Sequence, residues 1–173
     1  MKKNCHVVVG TLLAGAIGAY AAAAQADVVR REYHQNAAAN CQGALPAFAG
    51  TLRSRPLGVG NEGSAAAFVT CSFSGDAGQG IMPTLRLDIF FTNNAASPIT
   101  INCTGVFGAQ RIGGVMFATK SIVVSPGANS GIQWTAENSG VADLSSPANV
   151  SCSLPPGAVM LDTFNHINVE IGA

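Results

Sequence analysis

From Thr84 to Thr92 apolar and polar side chains alternate. Leu85, Leu87, Ile89 and Phe91 share one parity, and Arg86 and Asp88 share the other. A period of two puts every second side chain on one face of an extended backbone, and a helix cannot use it. Shorter runs repeat the pattern: Val69, Cys71 and Phe73; Ile99, Ile101 and Cys103; Val150, Cys152 and Leu154; Ile167, Val169 and Ile171. Gly, Pro, Asn and Ser interrupt them at intervals of about ten residues, the punctuation of a sandwich or barrel. No segment carries a helical period.

With Leu52 to Leu57 and the run Thr119 to Val124, which turns at Ser125-Pro126-Gly127 and returns as Ile132 and Trp134, these segments amount to about seven or eight strands. The expected fold is all-β, an antiparallel β-sandwich of immunoglobulin-like architecture spanning residues 41–173. The segment after Asn93-Asn94 and Pro98 is read as a hairpin partner of the Thr84–Thr92 strand.

The N-terminus reads as an address. Lys2 and Lys3 precede Val7 to Ala24, a run without charge, and Ala24-Gln25-Ala26 supplies the small residues of a cleavage site. Residues 1–26 are therefore expected to be a signal peptide, with the product periplasmic or secreted and no stable membrane insertion after cleavage. Removing 26 of the 173 residues leaves 147. Without Lys2 and Lys3, seven basic side chains face nine acidic ones, a net charge of −2. Residues 27–40, with Arg30, Arg31, Glu32 and His34 followed by alanines, show no alternating face and read as a loose leader or a short helix.

Cys41, Cys71, Cys103 and Cys152 remain, an even number in an exported chain, where oxidation is the default. None forms a Cys-x-x-Cys, so the zinc-ribbon and thioredoxin-type readings fail on spacing. Of the three possible pairings, Cys41 with Cys71 and Cys103 with Cys152 is preferred, because the latter two lie in mid-strand patterns suited to facing sheets. The order Cys103, Trp134, Cys152 resembles the core tryptophan and intersheet disulfide of immunoglobulin domains, at different distances. The run from Cys41-Gln42 through Asn61-Glu62-Gly63 to Val69-Thr70-Cys71, then Asn102-Cys103-Thr104 and Ser151-Cys152, resembles small exported proteins of Gram-negative bacteria, and that resemblance implies no activity.

Lys and Arg are scattered singly, which leaves no basic stripe for a phosphate backbone and argues against nucleic acid as a partner. Gly58-Val59-Gly60-Asn61-Glu62-Gly63 matches the dinucleotide fingerprint by letter, but a strand follows where a helix is needed, so the glycines are read as a turn between Leu57 and Ala66. No G-x-S-x-G elbow occurs. His166 falls on the polar parity of the last strand and reads as an ordinary exposed histidine, with Asp162 near enough to orient it. Asp76, Asp88, Asp143 and Asp162 are too dispersed for a calcium loop. Catalytic, cofactor and metal sites are therefore not expected.

Binding surfaces need either stacking rings or paired charges. Trp134 and most of the eight Phe are claimed by the core, whereas Phe90 points away from Leu87 and Phe91, and Phe107 and Phe117 flank a Gly-rich connection where exposure is open to them. Arg53 and Arg55 share a parity and could meet an anion together. The competing reading is an edge strand kept soluble by charge, which Pro56 favours. The expected function is a non-catalytic binding or structural protein of the cell envelope, its partner an envelope protein or a glycan. The alternative is a secreted hydrolase or carbohydrate-binding module with a site assembled from loops.

Overall fold

A computed structural model describes residues 27–73, 83–108, 114–141, 144–145 and 147–171. The expected signal peptide, Asp76 and Asp143 lie outside these residues. The expected β-sandwich is present: all strands pair antiparallel in two sheets. The seven-stranded sheet holds β1 (Asp27–Asn36), β3 (Leu52–Arg55), β4 (Gly58–Asn61), β6 (Pro83–Asn93), β9 (Asn129–Trp134), β10 (Leu144–Ser145) and β12 (Ala158–Ile171). The five-stranded sheet runs β2 (Cys41–Gly43), β5 (Ala67–Phe73), β11 (Ala148–Leu154), β7 (Ile99–Phe107) and β8 (Met116–Val124). Among the described residues no helix is long and apolar enough to cross a membrane. Among the described residues the helical segments are short turns between strands: α1 (Ala37–Asn40), α2 (Ala136–Ser139) and a 3-10 turn at Pro46–Gly50.

The core lies between the sheets and is built from the alternating residues. Leu87, Ile89 and Phe91 of β6, Val69, Cys71 and Phe73 of β5, and Val150, Cys152 and Leu154 of β11 are all buried. Trp134 is fully enclosed, and its indole N–H donates to the Ala118 carbonyl at 2.8 Å, so its one polar atom stays satisfied inside the core. Phe107 is buried as well, which corrects the expectation that it lies exposed, while Phe117 is exposed.

Both disulfides take the preferred pairing, Cys41–Cys71 and Cys103–Cys152. They differ from expectation in where they act. Each joins residues directly opposite on neighbouring strands of the five-stranded sheet, with Cα atoms 4.0 Å apart, and neither bridges the sheets. One clips the three-residue edge strand β2 to β5; the other clips β11 to β7. The Sδ of Met160, reaching across from β12, lies 3.3 Å from Cys71 Sγ.

Two expected hairpins are crossings instead. β6 and β7 belong to different sheets, as do β8 and β9, and among the described residues only β3–β4 and β7–β8 are consecutive paired strands within one sheet. Two buried asparagines explain how the chain changes sheet. Asn93, at the end of β6, donates from Nδ2 to the carbonyls of Ser97 (2.8 Å) and Val124 (2.9 Å) and accepts the Ala95 N–H on Oδ1 at 2.8 Å. Asn61, at the end of β4, repeats the pattern with Ala65 (2.8 Å), Leu154 (2.7 Å) and Gly63 N–H (2.9 Å). In each case the asparagine carbonyl accepts from the glycine of a Pro-Gly turn, Gly127 or Gly157. The same side-chain clamp thus ties a strand end of one sheet to a strand end of the other, twice.

The segment 27–40 is not a loose leader. Residues 27–36 pair with β12 over ten positions, from Asp27 with Ile171 to Asn36 with Asp162. The glycine-rich stretch is also more than a turn, because Gly58–Asn61 is strand β4, joined to β3 through Pro56-Leu57. Gly58 has φ 139°, and a Cβ there would lie 2.0 Å from the Met160 carbonyl, so only glycine lets this strand approach β12.

Candidate functional site

On the outer face of the seven-stranded sheet, β12 is flanked by β6 on one side and by β1 on the other. The register sets Arg86, His166 and Glu32 in one row and Asp88, Phe164 and His34 in the next. These six outward side chains come from three distant parts of the chain. With Phe90 they form a shallow cleft, about 210 Å³ of which is bounded by Glu32, Arg86, Asp88, Phe90, Phe164 and His166.

The floor is aromatic. Phe164 stacks on the His34 ring with centroids 4.0 Å apart and planes 10° from parallel, and Phe90 meets Phe164 edge-on at 5.6 Å. The Phe90 ring lies over Gly131 of β9, where any Cβ would come within 3.0 Å of it, so the absent side chain leaves room for the ring. Phe90 keeps partial exposure, as its parity predicts.

The wall is polar and interlocked. Asp88 is buried and accepts from Arg86 Nε at 2.6 Å and from Gln133 Nε2 at 3.0 Å. His166 is also buried, its side chain only 9% exposed, because β1 covers it. Its Nε2 faces Asp88 Oδ2 at 3.7 Å, while its Nδ1 is 3.0 Å from both Arg30 Nη2 and Glu32 Oε1. A bare Nδ1 accepts from the guanidinium, and a protonated one donates to the carboxylate, so the ring is held in either tautomer. Two guanidinium groups and two carboxylates make the formal charge of this frame zero with neutral His166. The outer members, Glu32 and Arg86, keep 60% and 43% side-chain exposure and point unused capacity at solvent.

His166 is therefore not the ordinary exposed histidine expected from parity, and Asp162 does not orient it; Asp162 pairs with His34 Nε2 at 3.7 Å. Of the sequence candidates, Phe90 belongs to this cleft. Arg53 and Arg55 sit elsewhere on the same sheet, on edge strand β3, and both turn to Glu62: Arg55 Nε donates to Oε1 at 2.8 Å and Arg53 Nε lies 3.9 Å from Oε2. The anion they meet is internal. Near them a longer groove of about 410 Å³ runs over Gly60, Val159 and Leu161. Sequence reading missed Phe164, His34 and Glu32 as a group, because the pairing of β1 with β12 joins residues more than 120 positions apart. Among the described residues no group of three or more His, Cys, Asp or Glu is placed to hold a metal.

No protein-family model and no curated protein matches the chain. Solved structures with a similar arrangement include a xylan-binding domain of Paenibacillus barcinonensis (10% identity, 82% of this chain and 99% of that one, TM-score 0.40). A Clostridium thermocellum xylanase fragment complexed with xylohexaose matches at 12% identity over 66% of this chain, TM-score 0.38; the present chain spans only 22% of its length. A subunit of the disulfide-linked pili of Bacillus endospores matches at 9% identity over 86% of this chain and 92% of that one, TM-score 0.37.

Proposed function

We propose that this is an exported, non-catalytic binding protein of the periplasm or cell surface, whose seven-stranded sheet takes a neutral saccharide on its outer face. The observation that carries this reading is the aromatic floor of Phe90, Phe164 and His34 beside a charge-balanced wall of Arg30, Glu32, Arg86, Asp88 and His166. A pyranose ring is apolar on its C–H face and ringed by hydroxyls that donate and accept. The floor supplies a stacking partner for the first, and the exposed carboxylate and guanidinium supply charge-assisted hydrogen bonds for the second. A frame of zero formal charge gives an ionic ligand no net attraction.

Non-catalytic action is supported by how the carboxylates are engaged. Glycoside hydrolysis needs one carboxyl to give a proton and another to act as base or nucleophile. Asp88 instead spends its oxygens holding Arg86 and Gln133, and Glu32 lies against Arg30 and His166. Two disulfides fit an oxidising compartment.

The test is calorimetric titration of the mature protein with cellohexaose, xylohexaose, mannohexaose and maltohexaose, with an oligogalacturonate as anionic control. Binding of at least one neutral hexasaccharide, lost in Phe164→Ala and unchanged in Phe117→Ala on the opposite sheet, is the expected result. Preference for the oligogalacturonate, or no binding by any of the panel, overturns the proposal.

A further inference from the structure

The aromatic cleft ends at Phe90 and Phe164, yet the outer face of the sheet continues. Two residues beyond Phe90 on β6 is Thr92, paired with Val159 of β12, which pairs in turn with Gly60 of β4. Thr92, Val159 and Gly60 belong to the longer groove of about 410 Å³, together with Leu57, Leu161 and the Arg55–Glu62 ion pair. The register break in β12 between Met160 and Thr163 lies where the two depressions meet and lets β12 serve both with outward side chains. The strip from Arg86 to Thr92 therefore extends for about 20 Å along β6 at the rise of an antiparallel strand.

We infer that the two depressions are one site, and that its ligand is an extended neutral polysaccharide chain lying along β6 and β12, not a single sugar or a chain end. This rests on the saccharide reading of the aromatic cleft and specifies its ligand. Three features of the second depression fit the continuation of such a chain. Gly60 has room for a side chain beside the groove, since a Cβ there would make only ordinary van der Waals contact, with Val159 Cγ2 at 3.4 Å and the Ala158 carbonyl at 4.0 Å. Leu57 stands 78% exposed at the rim, an apolar side chain suited to the C–H face of a sugar. At the rim Arg55 and Arg53 share Glu62, and the positive charge left over is offset along the strip by Asp162 beside His34, so the strip as a whole carries no net formal charge. The groove is open at the side, so a long chain enters laterally and neither end needs to be recognised.

The experiment compares the hexasaccharide that binds in the titration panel with the disaccharide of the same series. Wild-type protein is expected to prefer the hexasaccharide at least tenfold. Gly60→Val, which fills the trough, is expected to bring hexasaccharide affinity down to that of the disaccharide while leaving disaccharide affinity unchanged. Leu57→Ala, an exposed truncation that leaves the fold intact, is expected to cut the length preference at least threefold. Equal affinity for both lengths in the wild type overturns the inference, as does a length preference that survives both variants. Should Gly60→Val lose disaccharide binding too, Leu57→Ala alone decides by the same criterion. Failure of every neutral saccharide to bind the wild type strikes the saccharide reading itself, and is distinct from these outcomes.

Discussion

A single amide side chain does the same work at both ends of the sandwich. Asn61 and Asn93 are each buried, and each uses both Nδ2 protons and the Oδ1 to hold two carbonyls and one N–H that no ladder serves. Removing the amide strands those backbone groups away from water, at a cost of about 2–3 kcal/mol. Asn93→Ala is expected to lower unfolding free energy by that amount in urea titration, and Asn93→Asp by more, because a carboxylate then faces the two carbonyls. A change below about 0.5 kcal/mol, the range of ordinary surface substitutions, would remove the clamp from the account. The neighbouring glycines make a contrasting pair. Gly58→Ala forces a methyl to within 2.0 Å of the Met160 carbonyl at φ 139°, whereas a Cβ at Gly60 meets nothing closer than 3.4 Å. Thermal melts should show a large loss for the first and little change for Gly60→Ala. The letters Asn61 and Asn93 were visible in the chain, but their meaning was not: an asparagine after a strand reads as a turn former, and only the packing of two sheets turns it into a cross-link.

Strands with a buried face were readable because burial writes alternation into side chains. β5, β6, β7 and β11 all carried that mark, and their inward residues are buried as the parity required except at the start of β6, where a register shift against β12 buries Thr84 and leaves Leu85 half-buried. β1 carried none, since all its residues keep some exposure and its ten register positions along β12 are joined through the backbone ladder, which any side chain permits. That invisibility hid the candidate site, because β1 delivers Glu32 and His34 and covers His166. Sheet membership was hidden for a related reason: an alternating strand shows that it has a buried face but not which neighbour it pairs with. The disulfides show the consequence at the level of elements. β2 has only three ladder pairs, Cys41 with Cys71 among them, so that disulfide is its principal tether, whereas β7 and β11 share six pairs, Cys103 with Cys152 among them. Replacing Cys41 and Cys71 by Ala should raise hydrogen exchange locally around residues 41–50. Replacing Cys103 and Cys152 should lower global stability by up to about 4 kcal/mol on the loop-closure model. Uniform exchange in the first variant would mean that β2 is held by packing alone.

The molecule sorts its charge by face. Across the outer side of the five-stranded sheet the register places Gln42, Thr70, Ser151, Thr104 and Thr119 in one row and Phe68, Ser153, Asn102 and Ser121 in another, with no charged residue in either. The opposite face carries Arg30, Arg53, Arg55 and Arg86 against Glu32, Glu62, Asp88 and Asp162, four charges of each sign, with Arg53 and Arg55 sharing Glu62 and Asp162 set beside His34. Because these charges are spent on one another, the face is polar without a strong net field, and long-range attraction plays little part in what it binds. For a neutral ligand the affinity should therefore change less than about twofold between roughly 0.05 and 0.5 M salt, a range over which screening removes most attraction between exposed charges. Glu32→Gln tests the same logic from the inside. It keeps the hydrogen-bonding shape but leaves Arg30 and Arg86 with one counter-charge fewer, so binding of the neutral hexasaccharide should weaken only modestly. The variant should instead gain salt-sensitive affinity for the oligogalacturonate. Wild-type binding that falls steeply with salt would show that the ligand is an anion and that the pairing of charges on this face has been misjudged.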